Sequence, residues 1–214
     1  MRAEPQGVEW IEGEKNVLIK LFPAGTPKEE VDREADKTRL ARQYGLEAPF
    51  LHEVVEIDGR WGIRFDKVYG PTYTQWILQH PGSMIRLMAF FTYEHHEIHM
   101  HKVPEMPSLK EVLAERIQSN DKIDPEAKGK ALAKLKEMPD GDWLLHWNYT
   151  PEDIVVSIDG PVMFNWGSAM KGDFMADVAR TSMLMEQWAP RPEEKEMVDR
   201  IRERAFQDYV REYM

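Results

Sequence analysis

Between Trp143 and Trp166 the residue types follow an order that few folds accommodate. An apolar lead, Trp143-Leu144-Leu145, runs into a polar turn from His146 to Asp153. Two short β-type runs follow, Ile154–Val156 and Val162–Phe164, on either side of Ser157-Ile158-Asp159-Gly160-Pro161. The Asp-Gly pair favours a tight hairpin. Such a hairpin puts Asp153, just before its first strand, near Asn165, just after its second. With Asn148 on the preceding turn, three carboxylate or carboxamide side chains converge on one place.

Length and charge narrow the rest. A chain of 214 residues suffices for one compact domain or two small lobes sharing a cleft. A formal charge of −10 argues against nonspecific nucleic-acid partners and anionic membranes, both of which attract basic surfaces. It suits soluble partners, cationic small molecules in particular. Without cysteine there is neither a disulfide framework nor a thiolate metal site. No apolar run approaches a membrane span, and Met1–Gly7 lacks the apolar core of a signal peptide, so a cytoplasmic protein is expected.

Taken in order, Gly7–Trp10 and Asn16–Phe22 read as strands joined by a polar turn, with Lys20 alone inside an apolar run. On its own Lys20 also fits an edge-strand lysine facing water. Thr26-Pro27-Lys28-Glu29-Glu30 opens a helix with a threonine cap, and the helix runs over Val31–Tyr44 to stop at Gly45. Glu34 inside it fits a solvated surface acid equally well. Strands Leu51–Ile57 and Trp61–Val68 flank the hairpin signal Asp58-Gly59-Arg60, and Tyr69-Gly70-Pro71-Thr72 breaks the pattern. Helical periodicity then covers Tyr73–Gln79, Ser83–His101, Ser108–Ser119, Pro125–Glu137 and the tail Pro192–Met214. His95 and His99 have the i, i+4 spacing of zinc motifs, but the order His-Glu-x-x-His is missing, and packing is the better reading. The thirteen methionines likewise read as core.

The central turn, His146-Trp147-Asn148-Tyr149-Thr150-Pro151-Glu152-Asp153, and the later Phe164-Asn165-Trp166 resemble the aminoglycoside phosphotransferase branch of the protein-kinase-like fold. Members usually read His-Gly-Asp-x-His-Pro-x-Asn and then Ile-Asp-Trp. Gly172-Asp173-Phe174-Met175-Ala176-Asp177-Val178-Ala179-Arg180-Thr181 resembles that family's Gly-Asp-Pro-x-x-Asp-x-Ala-Arg-Thr. The resemblance implies an α+β, two-lobed fold: a small antiparallel sheet with one helix over residues 1–69, and a mostly helical lobe over 70–214 that carries the hairpin 144–166. It also implies roles. Lys20 holds nucleotide phosphates and pairs with Glu34; Tyr69-Gly70-Pro71-Thr72 is the hinge between lobes, with the backbone around Asp66–Val68 meeting adenine; Asn148 stands at the catalytic-base position. Asp153 and Asn165 stand at the metal positions, while His146 and Asp177 support the turn. The histidine-bearing helix packs behind that turn with no metal role.

The departures from the pattern alter the chemistry. An amide at 148 cannot accept a proton near neutral pH. The two metal positions have exchanged acid for amide, leaving one carboxylate on the opposite arm, and magnesium favours one or two carboxylates plus phosphates. Trp147, in place of glycine, is expected to crowd the path of an incoming hydroxyl. No glycine-rich loop precedes the Lys20 strand, and the chain reads as short at both ends relative to the family. Two functions are weighed: a catalytically impaired, pseudokinase-like binding or regulatory module, and an active ATP-dependent small-molecule phosphotransferase with a rearranged metal site. ATP and magnesium are the implied cofactors, both weakened. A nucleotide and a small molecule are the implied ligands, and a homodimer would cover the apolar face of a shortened lobe.

Overall fold

Four runs rich in β-branched and aromatic residues pair into an antiparallel sheet ordered β1-β2-β4-β3: β1 Glu9–Glu12, β2 Val17–Leu21, β3 Leu51–Ile57 and β4 Arg60–Asp66. These come from a computed structural model that describes residues 8–13, 16–186, 206–211 and 213. Gly7 lies outside those residues, and β1 starts at Glu9 and runs on to Glu12, two positions past the expected end. The β3–β4 turn needs two left-handed residues, and Asp58 (φ 49°) and Gly59 (φ 73°) supply them, so Ile57 pairs with Arg60. Lys20 sits on an interior strand opposite Trp10 and Ile63, on the face that carries the sheet's core. It is buried and does not face water.

Helix α1 (Lys28–Gln43) lays Val31, Ala35 and Thr38 against that face, and Glu34 shares the same buried stripe. The expected Thr26 cap is not used. Pro27 takes the cap position in an extended conformation, and proline keeps the residue before it out of the helix. Thr26 instead donates its backbone N–H to Pro23 in a turn of its own.

The second layer is helical: α2 (Tyr73–Gln79), α3 (Met84–Ile98), α4 (Leu109–Ser119), α5 (Pro125–Glu137) and α6 (Phe174–Glu186). Thr72 and Gln75 form a reciprocal capping box at the start of α2. Helix α3 is shorter than the expected Ser83–His101, because a 3₁₀ turn, Pro81–Ser83, precedes it and His99 caps its end. Its stripe of Leu87, Met88, Phe91 and Ile98 joins Tyr73, Ile77, Leu144, Tyr149 and Trp166 in one core. The expected tail helix Pro192–Met214 lies mostly outside the described residues; 206–211 are helical, and Tyr209 reaches that core. Among the described residues no helix is long and apolar enough to cross a membrane.

Two small ladders position the central turn. Strand β5 (Trp143–Leu145) pairs with β8 (Met170–Gly172), which places the start of α6 beside His146. Strands β6 (Ile154–Ser157) and β7 (Gly160–Met163) form the expected hairpin, with its two-residue turn one position earlier than the Asp159-Gly160 pair. Ser157 pairs with Gly160, so Ile158 and Asp159 make the turn and the glycine opens β7.

Candidate functional site

Asp177, fully buried in the first turn of α6, organises the central turn. One carboxylate oxygen, Oδ2, accepts from the backbone N–H of His146 at 2.7 Å, and Oδ1 accepts from that of Trp147 at 2.9 Å. His95 Nε2 and His99 Nε2 each lie 3.2 Å from Oδ2, while Tyr209 and Tyr213 hydroxyls meet their Nδ1 atoms. With the Tyr209 hydroxyl donating to its Nδ1, the His95 ring is a neutral imidazole that donates from Nε2. These donors hold the Asp177 carboxyl far below the usual carboxylate range despite its burial, and burial pushes His95 down to about 4. His95, His99 and Asp177 are close enough together to hold a metal ion, but each ligand atom already has a hydrogen-bond partner.

With its two N–H groups clamped, the turn adopts a conformation that suits glycine better. Trp147 has φ 64°, which for a bulky residue costs on the order of 1–3 kcal/mol. Its side chain packs against the cluster of Leu109, Leu145 and Met170 and is not among the residues lining the cleft. His146 donates from Nε2 to the Phe164 carbonyl at 2.9 Å, joining the turn to the hairpin's far end.

A second network runs from the sheet to the hairpin. Lys20 Nζ donates to Glu34 Oε1 at 2.8 Å and to Asn165 Oδ1 at 2.9 Å. Asn165 Nδ2 in turn donates to Asp153 Oδ1 at 2.6 Å, and Thr150 Oγ1 donates to Asp153 Oδ2 at 2.5 Å. Asn165 is left-handed (φ 64°), a region asparagine tolerates, and this turns its amide toward both neighbours. Gly167 lies over Glu34: a Cβ there would stand 2.5 Å from Glu34 Oε2, so the small residue leaves the acid room to meet Lys20.

Lys20, Glu34, Asn148 and Asn165 line one cleft of about 1280 Å³ between the sheet and the helices. Asn148 makes no side-chain hydrogen bond among the described residues, and Asp153 is buried behind Asn165. The expected convergence is therefore divided: Asp153 and Asn165 are bonded to each other, and Asn148 shares only the cleft. Lys37, one helical turn beyond Glu34, donates to the Gly167 carbonyl at 2.8 Å. Burial, with Arg33 and Arg116 nearby, pushes its ammonium down to about 8.

Three features were not read from the sequence. Thr150 stood out as a departure, but its partner depends on a rotamer. The tyrosines behind His95 and His99 come from over 100 positions away, and no local period marks them. Trp10 packs edge-on to Phe164 at 5.7 Å, with Phe65 6.2 Å from the same ring; an aromatic on the strand opposite Lys20 was the available signal.

No protein-family model matches the sequence, and no curated protein does. Solved structures match over nearly the whole chain. An aminoglycoside-3'-phosphotransferase of type VIII superposes with a TM-score of 0.62 at 15% identity, covering 98% of this chain and 95% of that one. A choline/ethanolamine kinase family protein from Mesorhizobium loti gives 0.57 at 15% identity, covering 99% and 70%. A thermostable mutant of the aminoglycoside phosphotransferase APH(4)-Ia, in ternary complex with ADP and hygromycin B, gives 0.56 at 13%, covering 97% and 84%. These likenesses show the fold: the chain has the α+β, two-lobed, kinase-like scaffold of aminoglycoside phosphotransferases and choline kinases.

Proposed function

We propose that this chain is a degenerate phosphotransferase, a cytoplasmic, pseudokinase-like module that binds a nucleotide and a small-molecule ligand without useful turnover. The observation that carries the reading is the Lys20–Asn165–Asp153–Thr150 chain: the residues at the two metal positions bond to each other. Asn148 adds to it, because it lines the same cleft with an amide that cannot take up the proton of an attacking hydroxyl. Loss of a general base alone lowers a rate roughly 10²–10⁴-fold. Phosphoryl transfer depends at least as much on positioning and charge neutralisation, so the altered metal pair matters more than the base. Nucleotide binding draws support from the buried Lys20–Glu34 pair at 2.8 Å and from the fold neighbour that holds ADP and hygromycin B.

This pair does not fit magnesium. Asp153 has both oxygens engaged, and Asn165 turns an N–H, not an oxygen, toward Asp153. A product assay with MgATP across hydroxyl-bearing aminoglycosides tests the reading. The native chain is expected to be silent and the double variant Asn148→Asp with Asn165→Asp to gain activity. Substantial native turnover would refute it and favour the second reading, an active kinase with a rearranged metal site, for which the retained Lys20–Glu34 pair speaks. Homodimerisation is a further proposal, supported by the half-exposed Ile85, Phe90 and Tyr93 on α3 and tested by light scattering.

A further inference from the structure

We infer that the Asn165 amide takes the place of a divalent cation at this site, and that nucleoside triphosphate binds here in its metal-free form. The inference rests on the nucleotide-binding reading above and adds how the nucleotide's charge is met.

The orientation of one amide decides the matter. Asn165 has an acceptor end toward the Lys20 ammonium at 2.9 Å and a donor end toward the Asp153 carboxylate at 2.6 Å. Turning the amide over would set N–H groups against the ammonium and an oxygen against the carboxylate, two repulsive contacts in place of two charge-assisted hydrogen bonds. The neighbours therefore lock the amide with its donor where a cation would sit. Magnesium needs oxygen ligands at about 2.0–2.1 Å, with neighbouring oxygens in its octahedron about 2.9 Å apart. Asp153 Oδ1 instead has a nitrogen at 2.6 Å, and the N–H hydrogen occupies the space between. Thr150 adds a second donor to the same carboxylate at 2.5 Å.

A carboxylate at 165 would reverse this. One oxygen would still accept a hydrogen bond from Lys20, but the other would face Asp153 oxygen to oxygen, and a part-buried carboxylate that close to the buried Asp153 requires a proton or a cation between them. The exchange of acid for amide at 165, joined to the Thr150 hydroxyl, thus forms a self-neutralising unit. Lys20 remains the cation that phosphates meet in the cleft.

Manganese, a paramagnetic stand-in for magnesium, and ATP are the probes. Full-length native chain is titrated with Mn²⁺ and followed by electron paramagnetic resonance, and with ATP by calorimetry in EDTA and in excess MgCl₂. The expected result is no Mn²⁺ bound and ATP bound at least about tenfold more tightly in EDTA than in excess MgCl₂, because magnesium withdraws the metal-free nucleotide. Asn165→Asp is expected to bind Mn²⁺ and to bind ATP at least about tenfold more tightly with magnesium than with EDTA. Should that variant not fold, the charge-conserving swap Asp153→Asn with Asn165→Asp serves in its place. Native ATP binding at least as tight in excess MgCl₂ as in EDTA, or Mn²⁺ held by the native chain, overturns the inference while the nucleotide-binding reading stands. ATP binding in neither buffer overturns both.

Discussion

Thr150, Asp153 and Asn165 each differ from the residue the family pattern leads one to expect, and in the structure they bond to one another. Three apparent losses are one substitution in physical terms: a hydroxyl and an amide satisfy a carboxylate that a metal would otherwise neutralise. Thr150→Val keeps the shape and removes a hydrogen bond to a charged group, worth about 1.5–3 kcal/mol. Urea unfolding should show that loss, and an unchanged midpoint would mean the hydroxyl contributes nothing to Asp153. The meeting of Asp153 with Asn165 was legible in the sequence, because a hairpin fixes which residues flank it. The hydroxyl's part was not, since it depends on a side-chain torsion. Behind the turn, His95 gives a pH signature. Its folded pKa, about 4, lies below the ordinary 6.5. The unfolded chain therefore binds more protons between those values, and stability is fully present above pH 6.5 and falls as pH drops toward 4. The loss is on the order of 3 kcal/mol at one site. It appears as a falling unfolding free energy across that window, and His95→Gln should flatten the slope. A native profile with no slope there would mean that the imidazole is not kept neutral by burial.

At the level of elements, the join between β2 and α1 carries the most. Glu34 lies on the stripe that buries Val31, Ala35 and Thr38, so the packing that docks the helix also delivers the acid to Lys20. Removing one member of such a buried pair leaves the other charge uncompensated, and Lys20→Met is expected to destabilise the fold by about 3–5 kcal/mol. Adding Glu34→Gln should recover part of that, and equal stability of the single and double variants in denaturant melts would show that the pair is not coupled. The helix, the strands and their order were readable from alternation and from the Asp58-Gly59 turn. Element ends were less so, for identifiable reasons. Proline at 27 displaced the expected Thr26 cap, and the Asp159-Gly160 pair put its glycine in the strand instead of the turn. Both misreadings come from residue types whose effect depends on register, which local pattern leaves open.

For the whole molecule, the two lobes share packing, with Ala41, Leu46 and Ala48 inside the helical core, and are further joined by specific contacts. Lys20 reaches Asn165, the Met163 N–H donates to the Glu47 carbonyl at 2.7 Å, and Phe164 receives Trp10 and Phe65 from the sheet. Phe164 is buried, and its carbonyl also holds His146, so one residue ties sheet, hairpin and central turn together. The sheet's own core is small, centred on Phe22, Val31, Ala35, Leu51, Ile63 and Phe65, and a sheet with one helix gains much of its stability from the lobe beneath it. Sheet and helices should therefore open together in the native chain. Phe164→Leu removes the ring contacts while keeping an apolar side chain and the backbone carbonyl. A loss of about 1–3 kcal/mol is expected from the smaller, differently shaped side chain and the lost aromatic pairs. Its distribution is the informative part. Amide hydrogen exchange should accelerate across β1, β2, β3 and β4 well before it does in α3, as the sheet comes to open by itself. Uniform acceleration in both lobes would show that Phe164 stabilises the molecule as one body and that the aromatic contacts do not couple its halves.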